Sequence, residues 1–168
     1  MILVAKLTFP AKATSHPMPI YISRATPADL ESLLPLMRHM QKDDPWSEIF
    51  DESAVRANLA ELLQNPVYGV IYLVREENAP IAYLVICFDY SIEYRGKGAW
   101  IDELFVEAAH RGKGIGTQLL DLAGTASREH SAKFLHLEVT HGNPALELYR
   151  RRGFLDHQRY LMSKALDK

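Results

Sequence analysis

The sequence has little of what several classes of protein require. Cys87 is the only cysteine among 168 residues, so no disulfide can form within the chain. A lone thiol suits a reducing compartment, and we expect a cytoplasmic protein. No run of about 18 uncharged apolar residues occurs, and the apolar start at Met1 to Val4 is soon followed by Lys6. Neither a membrane span nor a secretion signal is therefore predicted.

Basic residues are not in excess either. The chain has 19 Lys and Arg against 21 Asp and Glu, which gives a net charge of -2 and no sign of a nucleic-acid-binding surface. Its seven histidines form no His-Glu-x-x-His pattern, so no metal site is expected. Hydrophobic residues make up 48% of the chain, which is enough for the core of one domain.

The hydrophobic pattern divides the chain into two parts. Residues 1–19, which contain three prolines, are predicted to be an N-terminal extension, and residues 20–168 form a single predicted domain. The predicted element order is β-α-α-β-β-β-α-β-α-β-β, and its last two strands cover residues 154–156 and 158–165. The predicted fold class is α/β (α+β), with a mixed, mostly antiparallel sheet of six or seven strands and helices on both faces.

A glycine-rich segment lies between a predicted strand and a predicted helix. Backbone N–H groups at a helix start have no partners within the helix, and the helix dipole favours an anion there. Glycine lets a phosphate approach the backbone closely, and neighbouring basic side chains add positive charge. The spacing fits neither a P-loop nor the dinucleotide-binding fingerprint, yet it predicts a phosphate-binding turn. The segment consists of Arg111, Gly112, Lys113, Gly114, Ile115, Gly116 and Thr117.

Residues 95–98 repeat the first four residues of this segment. The copy runs into a predicted strand, so it has no helix N-terminus to offer to an anion. We interpret it as a hairpin turn.

The segment from Arg111 to Gly116 resembles the coenzyme-binding motif of the GCN5-related N-acetyltransferases, the GNAT superfamily. The chain is similar to that superfamily in the kind and order of its elements over roughly residues 20–166. Residues 102–106 resemble the central strand, residues 135–139 the next strand, and residues 143–154 the closing segment. In layout the chain is most similar to the diamine and polyamine branch. The resemblance implies an N-acetyltransferase that uses acetyl-CoA.

The resemblance also implies where the coenzyme binds. In the family the central strand and the next strand splay apart, and the pantetheine arm pairs with the central strand. Backbone N–H groups near its end hold the thioester carbonyl, and the pyrophosphate lies on the glycine-rich turn. The implied cofactor-binding residues are Phe105, Val106, Arg111, Gly112, Lys113, Gly114, Ile115, Gly116, Thr117, Asn143 and Ala145.

Three side chains are candidates for the chemistry. An alkylammonium with a pKa of about 10.4 must lose a proton before it can attack, and Asp102 and Glu103 are the candidate bases. Strand alternation predicts that these neighbours face opposite sides of the sheet, so only one would point into a given cleft. By resemblance, Tyr149 is the acid that protonates the departing sulfur.

The acceptor is expected to be a small cationic amine. Asp43, Asp44 and Trp46 lie between the first two predicted helices, which border the acceptor site in this fold, although a solvated acidic loop explains them equally well. No nucleic-acid or membrane partner is expected, and a homodimer is left open. The alternatives are a protein, peptide or aminoglycoside N-acetyltransferase, or a non-catalytic acyl-CoA sensor or scaffold of the same fold.

Overall fold

The computed structural model describes residues 19–43, 50–164 and 166. From the first strand to the last helix, the elements follow the predicted order. The predicted N-terminal extension, residues 1–19, lies outside the described residues apart from Pro19. The strands are β1 (Ile20–Arg24), β2 (Gly69–Glu76), β3 (Ala79–Ser91), β4 (Gly96–Val106) and β5 (Phe134–Leu137), and the α-helices are α1 (Leu30–Asp43), α2 (Glu52–Gln64), α3 (Ile115–Glu129) and α4 (Leu146–Arg151).

The strands form one sheet in the order β1-β2-β3-β4-β5. The pairs β1–β2, β2–β3 and β3–β4 are antiparallel, whereas β4 and β5 are parallel and are joined through α3. Parallel neighbours need such a crossover connection, which fits the helical pattern that follows the glycine-rich turn.

The sheet separates two apolar cores. On one face Leu84 and Ile86 of β3 pack with Leu119 and other residues of α3. On the opposite face Tyr83 and Val85 pack with residues of α1 and α2. Successive strand residues point to opposite faces, so β3 contributes to both cores and is buried along most of its length. The predicted helices on both faces of a mixed, mostly antiparallel sheet are confirmed.

The number of strands differs from the prediction. The structure has five strands within its described residues, and the predicted strands over residues 154–156 and 158–165 are not formed there; Ala165 itself lies outside the described residues. Gln158 has a φ of +50°, and its N–H donates to the Asp156 carboxylate at 2.7 Å. This left-handed turn lies at the junction of the two predicted strands, and the residues on either side of it pair with none of the described strands. Apolar residues beyond it, such as Tyr160 and Met162, are exposed.

The repeated Arg-Gly-Lys-Gly segment lies at a hairpin, but the turn itself is residues 92–95, and Gly96, Lys97 and Gly98 already pair with β3 as the start of β4. It leads from β3 into β4, where Arg95 has a φ of +61° and Gly96 one of +146°. The N–H of Arg95 bonds to the carbonyl of Ile92 at 3.1 Å, which closes the turn.

Candidate active site

Two parallel strands separate beside the glycine-rich turn. β4 and β5 pair over four positions, from Gly98–Phe134 to Ile101–Leu137. β4 then continues to Val106 and remains paired with β3 on its other side. Among the described strands none covers the opposite edge of residues 102–106. Apart from the Val106 carbonyl, which accepts a hydrogen bond from Arg111, this edge can offer backbone N–H and C=O groups to an extended ligand.

A β-bulge lies at the start of this open edge. Val85 pairs with Glu103, and the next residue, Ile86, pairs with Ile101, which leaves Asp102 without a partner on β3. The extra residue interrupts the alternation of side chains along β4. Ile101 packs into the α3 core, whereas Glu103 lies opposite Val85, which belongs to the α1 and α2 core.

The bulge brings the two candidate bases together. The negative charge of Asp102 acts on Glu103, and both carboxylates act on the Cys87 thiol, which lies on the α1 and α2 side. The prediction that Asp102 and Glu103 face opposite sides assumed a regular strand, and the shift in pairing at Asp102 removes that basis. Simple alternation of a regular strand does not hold at a position that carries an additional residue.

Burial makes both carboxylates weaker acids than usual. Desolvation raises the pKa of Glu103; a hydrogen bond from Tyr83 lowers it in part, and the charge of Asp102 raises it further. Desolvation also raises the pKa of Asp102, although its side chain still reaches solvent. A carboxylate with a raised pKa is a better proton acceptor near neutral pH. Two neighbouring carboxylates with raised pKa values suit a site for general base chemistry.

Cys87 does not join this chemistry as a nucleophile. Burial and the two neighbouring carboxylates raise the pKa of its thiol to about 11, so the thiol stays protonated at neutral pH. This agrees with the role of a small, partly buried apolar residue.

The glycine-rich turn leads directly into α3. Gly112 has a φ of +74° and Gly114, the residue before the helix, one of +84°. A Cβ at either position would meet no atom within 4 Å, so open space surrounds the turn. The first helical bond runs from the N–H of Gln118 to the carbonyl of Gly114 at 3.1 Å. The N–H groups of residues 115–117 thus have no partner one turn earlier in the helix.

The side chains of the turn divide into two groups. Ile115 is buried in the α3 core and anchors the helix start, whereas Lys113 is exposed and Thr117 is half-buried. Gly116 faces α4, because a Cβ added there would lie 3.8 Å from Leu148 Cδ2. The turn can therefore present backbone N–H groups and one lysine to an anion while its hydrophobic residue holds the helix in place.

Arg111 turns back toward the end of β4. Its Nε donates to the carbonyl of Val106 at 2.8 Å, and its guanidinium carbon lies 5.6 Å from the centroid of the Phe105 ring. Another guanidinium nitrogen pairs with the carboxylate of Asp43 at the end of α1. Arg111 thus ties the open strand edge to the glycine turn. Asp43, predicted to bind substrate, contacts this arginine.

A short turn precedes α4 in the closing segment, residues 143–154. The Asn143 side chain accepts a hydrogen bond of 2.8 Å from the N–H of Ala145, and α4 starts at Leu146. Asn143 therefore caps the turn that precedes the helix. The ring of Tyr149 is half-buried and meets Phe154 edge to face at 6.1 Å. Gly153, with a φ of +88°, follows the end of the helix.

Two predicted substrate residues, Asp44 and Trp46, lie outside the described residues. The role of the loop between α1 and α2 thus stays a prediction. Within the described ranges, no group of three or more His, Cys, Asp or Glu side chains could hold a metal ion. No helix of the same ranges is long and apolar enough to cross a membrane.

Sequence reasoning missed Tyr83, whose hydroxyl lies 2.8 Å from a carboxylate oxygen of Glu103. The available signal was a phenol within an otherwise apolar strand, since a buried tyrosine hydroxyl usually requires a partner. The identity of that partner follows only from the pairing of β3 with β4.

Comparison with known sequences gives a family match. The model of the Acetyltransferase (GNAT) family matches residues 33–154. A segment of 55 residues is 49% identical to a streptothricin acetyltransferase from Streptomyces lavendulae. This match covers 32% of the chain and 29% of that protein, so less than a third of the curated relative is represented.

Solved structures are similar over most of the chain. An integron cassette protein from the mobile metagenome of Cole Harbour Salt Marsh is 26% identical with a TM-score of 0.77, over 88% of this chain and 91% of that one. A predicted acetyltransferase from Clostridium acetobutylicum, solved with acetyl-CoA, is 20% identical with a TM-score of 0.77, over 87% of this chain and 96% of that one. The second likeness shows the fold alone.

Proposed function

The chain belongs to the Acetyltransferase (GNAT) family and is an acyltransferase, and we propose that it transfers the acetyl group of acetyl-CoA to the primary amine of a small cationic molecule. The observation that carries the proposal is the open edge of β4 at residues 102–106, which leads into the glycine turn. The diamine and polyamine class remains our preferred acceptor. A cytoplasmic location remains part of the same proposal.

The residues around the edge and turn fit acetyl-CoA. An extended arm can pair with the free backbone groups of residues 102–106, which support a role of Phe105 and Val106 in holding the thioester carbonyl. The open space at Gly112 and Gly114 leaves room for a pyrophosphate beside the helix N-terminus. The bound thioester supplies an electrophilic carbonyl carbon. Asn143 and Ala145 lie in the turn that leads into α4, which packs near the same helix start through Leu148.

The proposed reaction needs a base for the attacking amine and an acid for the leaving sulfur. Glu103 or Asp102 accepts the proton of the ammonium, so that the amine nitrogen can form its bond to the carbonyl carbon. The carbon–sulfur bond then breaks, Tyr149 donates a proton to the leaving sulfur, and the second proton lost by the nitrogen restores the Tyr149 hydroxyl. The carboxylate releases the first proton to solvent. Tyr83 orients the Glu103 carboxylate through its 2.8 Å hydrogen bond. The overall products are an amide, free coenzyme thiol and the released proton.

Two alternatives remain as proposals of lower rank. A non-catalytic sensor or scaffold would need the edge and the turn, but it would not need two neighbouring carboxylates with raised pKa values. A protein, peptide or aminoglycoside acceptor would use the same chemistry. Because of the local likeness to a streptothricin acetyltransferase, streptothricin belongs in the acceptor panel.

The test is release of free thiol from acetyl-CoA in a panel of monoamines, diamines, a polyamine, an aminoglycoside, streptothricin and a peptide. Mass spectrometry then identifies the acetylated product. Thiol release with a matching product supports the proposal. Tight coenzyme binding in calorimetry without any product would favour the sensor.

A charge reversal tests the coenzyme site separately. Lys113 is exposed in the turn, and Lys164 is exposed in the C-terminal segment. Lys113→Glu should weaken coenzyme A binding about tenfold or more, because it places a negative charge beside the phosphates. Lys164→Glu should leave the affinity as it is. Equal affinities of the two variants would contradict the assignment of the turn.

A further inference from the structure

A cluster of rings lies on the same face of the sheet as the candidate bases. The His136 ring centroid lies 4.6 Å from that of Tyr94 and 4.9 Å from that of Trp100, and Phe134 lies 4.5 Å from Tyr94. Phe134 is 46% exposed, and the other three are half-buried. We call these four residues the aromatic cluster. It borders solvent and does not form part of either core.

A carboxylate holds Trp100 in this cluster. The indole N–H donates to the Asp89 carboxylate at 3.1 Å. Asp89 pairs with Gly98 on β4, and a Cβ at Gly98 would lie 2.1 Å from the carboxylate oxygen Oδ1. Only glycine leaves room for this arrangement. Gly98, in the copy of the glycine-rich motif, therefore allows a negative charge to lie beside the half-buried Trp100 ring.

The aromatic cluster lies next to the candidate bases along β4. Trp100 pairs with Cys87, which packs against the α1 and α2 core, so its ring lies on that face of the sheet. Asp102 follows Trp100 by two residues on β4, or about 6.6 Å along a strand.

The charges near the aromatic cluster favour a cation. Burial lowers the pKa of His136, so its ring is mostly neutral at neutral pH. Asp89 is exposed and its carboxylate lies beside the Trp100 indole. Arg159 approaches the same end of the sheet, but its guanidinium is paired with Glu93 at 2.8 Å. A second ammonium group would thus meet ring faces and a carboxylate together.

We propose that the aromatic cluster and Asp89 form a subsite for a second ammonium group of the acceptor. The first ammonium reacts at Asp102 and Glu103 while the second is held near Trp100. This inference rests on the proposed function and deepens it, because it selects diamines and longer polyamines over monoamines. Trp100 and Asp89 would then determine specificity and would take no part in proton transfer.

The test compares two acceptors of equal chain length, 1,5-diaminopentane and pentylamine. The measured quantity is the ratio of their kcat/KM values. In Trp100→Leu this ratio should fall about fivefold or more, the range expected for the loss of one cation–π contact. Tyr21→Leu removes another exposed ring, 59% accessible on β1, and should preserve the ratio.

A second variant avoids any loss of packing. Asp89→Asn keeps an oxygen that can accept the Trp100 hydrogen bond, but it removes the negative charge. The ratio should again fall several-fold, and the fall should shrink as salt screens the charge. Ratios equal to that of the parent in both variants, with unchanged melting temperatures, would overturn the subsite.

The two levels of the proposal fail in different ways. If the parent acetylates both amines and the variants leave their ratio unchanged, the subsite is wrong and the acetyltransferase function stands. If no amine of the panel releases thiol from acetyl-CoA, the proposed function itself is wrong.

Discussion

The hydroxyl of Tyr83 donates a hydrogen bond of 2.8 Å to a carboxylate oxygen of Glu103. The two residues are diagonal neighbours on β3 and β4, since Val85, two residues after Tyr83, pairs with Glu103. The same hydroxyl also contacts Met40 Sδ of α1 at 3.0 Å. Tyr83, a fully buried side chain in the centre of the sheet, thereby orients the candidate base Glu103.

Tyr83→Phe should shift the pH dependence of turnover. The Tyr83 hydrogen bond lowers the pKa of Glu103, so its loss should raise that pKa further. If Glu103 is the base, activity falls as pH drops through its pKa, and this acid limb should move to higher pH in the variant. The pH profile of kcat/KM measures the shift. Tyr72→Phe, a change on the α3 side of the same sheet, should leave the limb in place.

Glu103→Gln should stabilise the protein at neutral pH. Because the folded-state pKa of Glu103 is raised, the folded protein binds more protons than the unfolded chain between the ordinary and the raised value. The free energy of unfolding therefore falls as pH rises through that window. Glutamine removes this cost, so the variant should melt higher at pH 8 and near the parent at pH 4. For a chain of this size, each kcal/mol corresponds to roughly 2–4 °C.

Glu31→Gln is the matched control, because its effect on stability at pH 8 should be opposite to that of Glu103→Gln. A hydrogen bond from Arg56 lowers the pKa of Glu31, so the ionised form contributes its stability above the ordinary value and loses it as pH falls. This exposed variant should melt slightly lower than the parent at pH 8. A melting difference for Glu103→Gln that is the same at both pH values would contradict the burial effect.

Gly114→Ala should lower the stability of the protein, whereas Gly116→Ala should not. Gly114 has a φ of +84°, so alanine there should cost roughly 1–2 kcal/mol although its Cβ meets no atom. Gly116 lies within α3, and its new Cβ would make an ordinary contact with Leu148 at 3.8 Å. This variant should be neutral or more stable. Thermal unfolding measures the difference, and the reverse order of melting temperatures would contradict it.

Tyr149→Phe should reduce turnover about 10²-fold or more, which is typical of the loss of general acid assistance. The phenyl ring should keep its edge-to-face contact with Phe154, so the melting temperature should change little. Coenzyme affinity, measured by calorimetry, should stay within about twofold, a change of about 0.4 kcal/mol. Tyr160→Phe, at a side chain that is 94% exposed, controls for loss of a hydroxyl. Turnover at the parent rate would make Tyr149 a packing residue.

Local signals were sufficient for much of the fold. The glycines at 114 and 153 have the positive φ that glycine favours, and each lies at a helix end that its neighbours predict. The apolar spacing of residues 115–126 corresponds to the buried face of α3. These features depend on residues close together in the chain, which is why the sequence could predict them.

The features that sequence reasoning missed depend on distant partners. The bulge at Asp102 is defined by a shift in pairing with β3, and nothing in the local residues of β4 shows it. The contact between Asp89 and Trp100 likewise requires Gly98 to lie opposite the aspartate. The apolar residues after Gly153 resemble a strand pair, but they pair with none of the described strands, and most of them, such as Leu155 and Tyr160, are exposed.

The two cores on opposite faces of β3 have a consequence for local opening. The helices α1 and α2 cover only one core, and the sheet separates them from the core that α3 covers. They can therefore detach without exposing the α3 core to water. We expect their amide protons to exchange with deuterium through sub-global fluctuations of lower free energy than those of β3 and α3. Local opening of α1 and α2, which border the proposed acceptor site, would then leave α3 and the proposed coenzyme site folded.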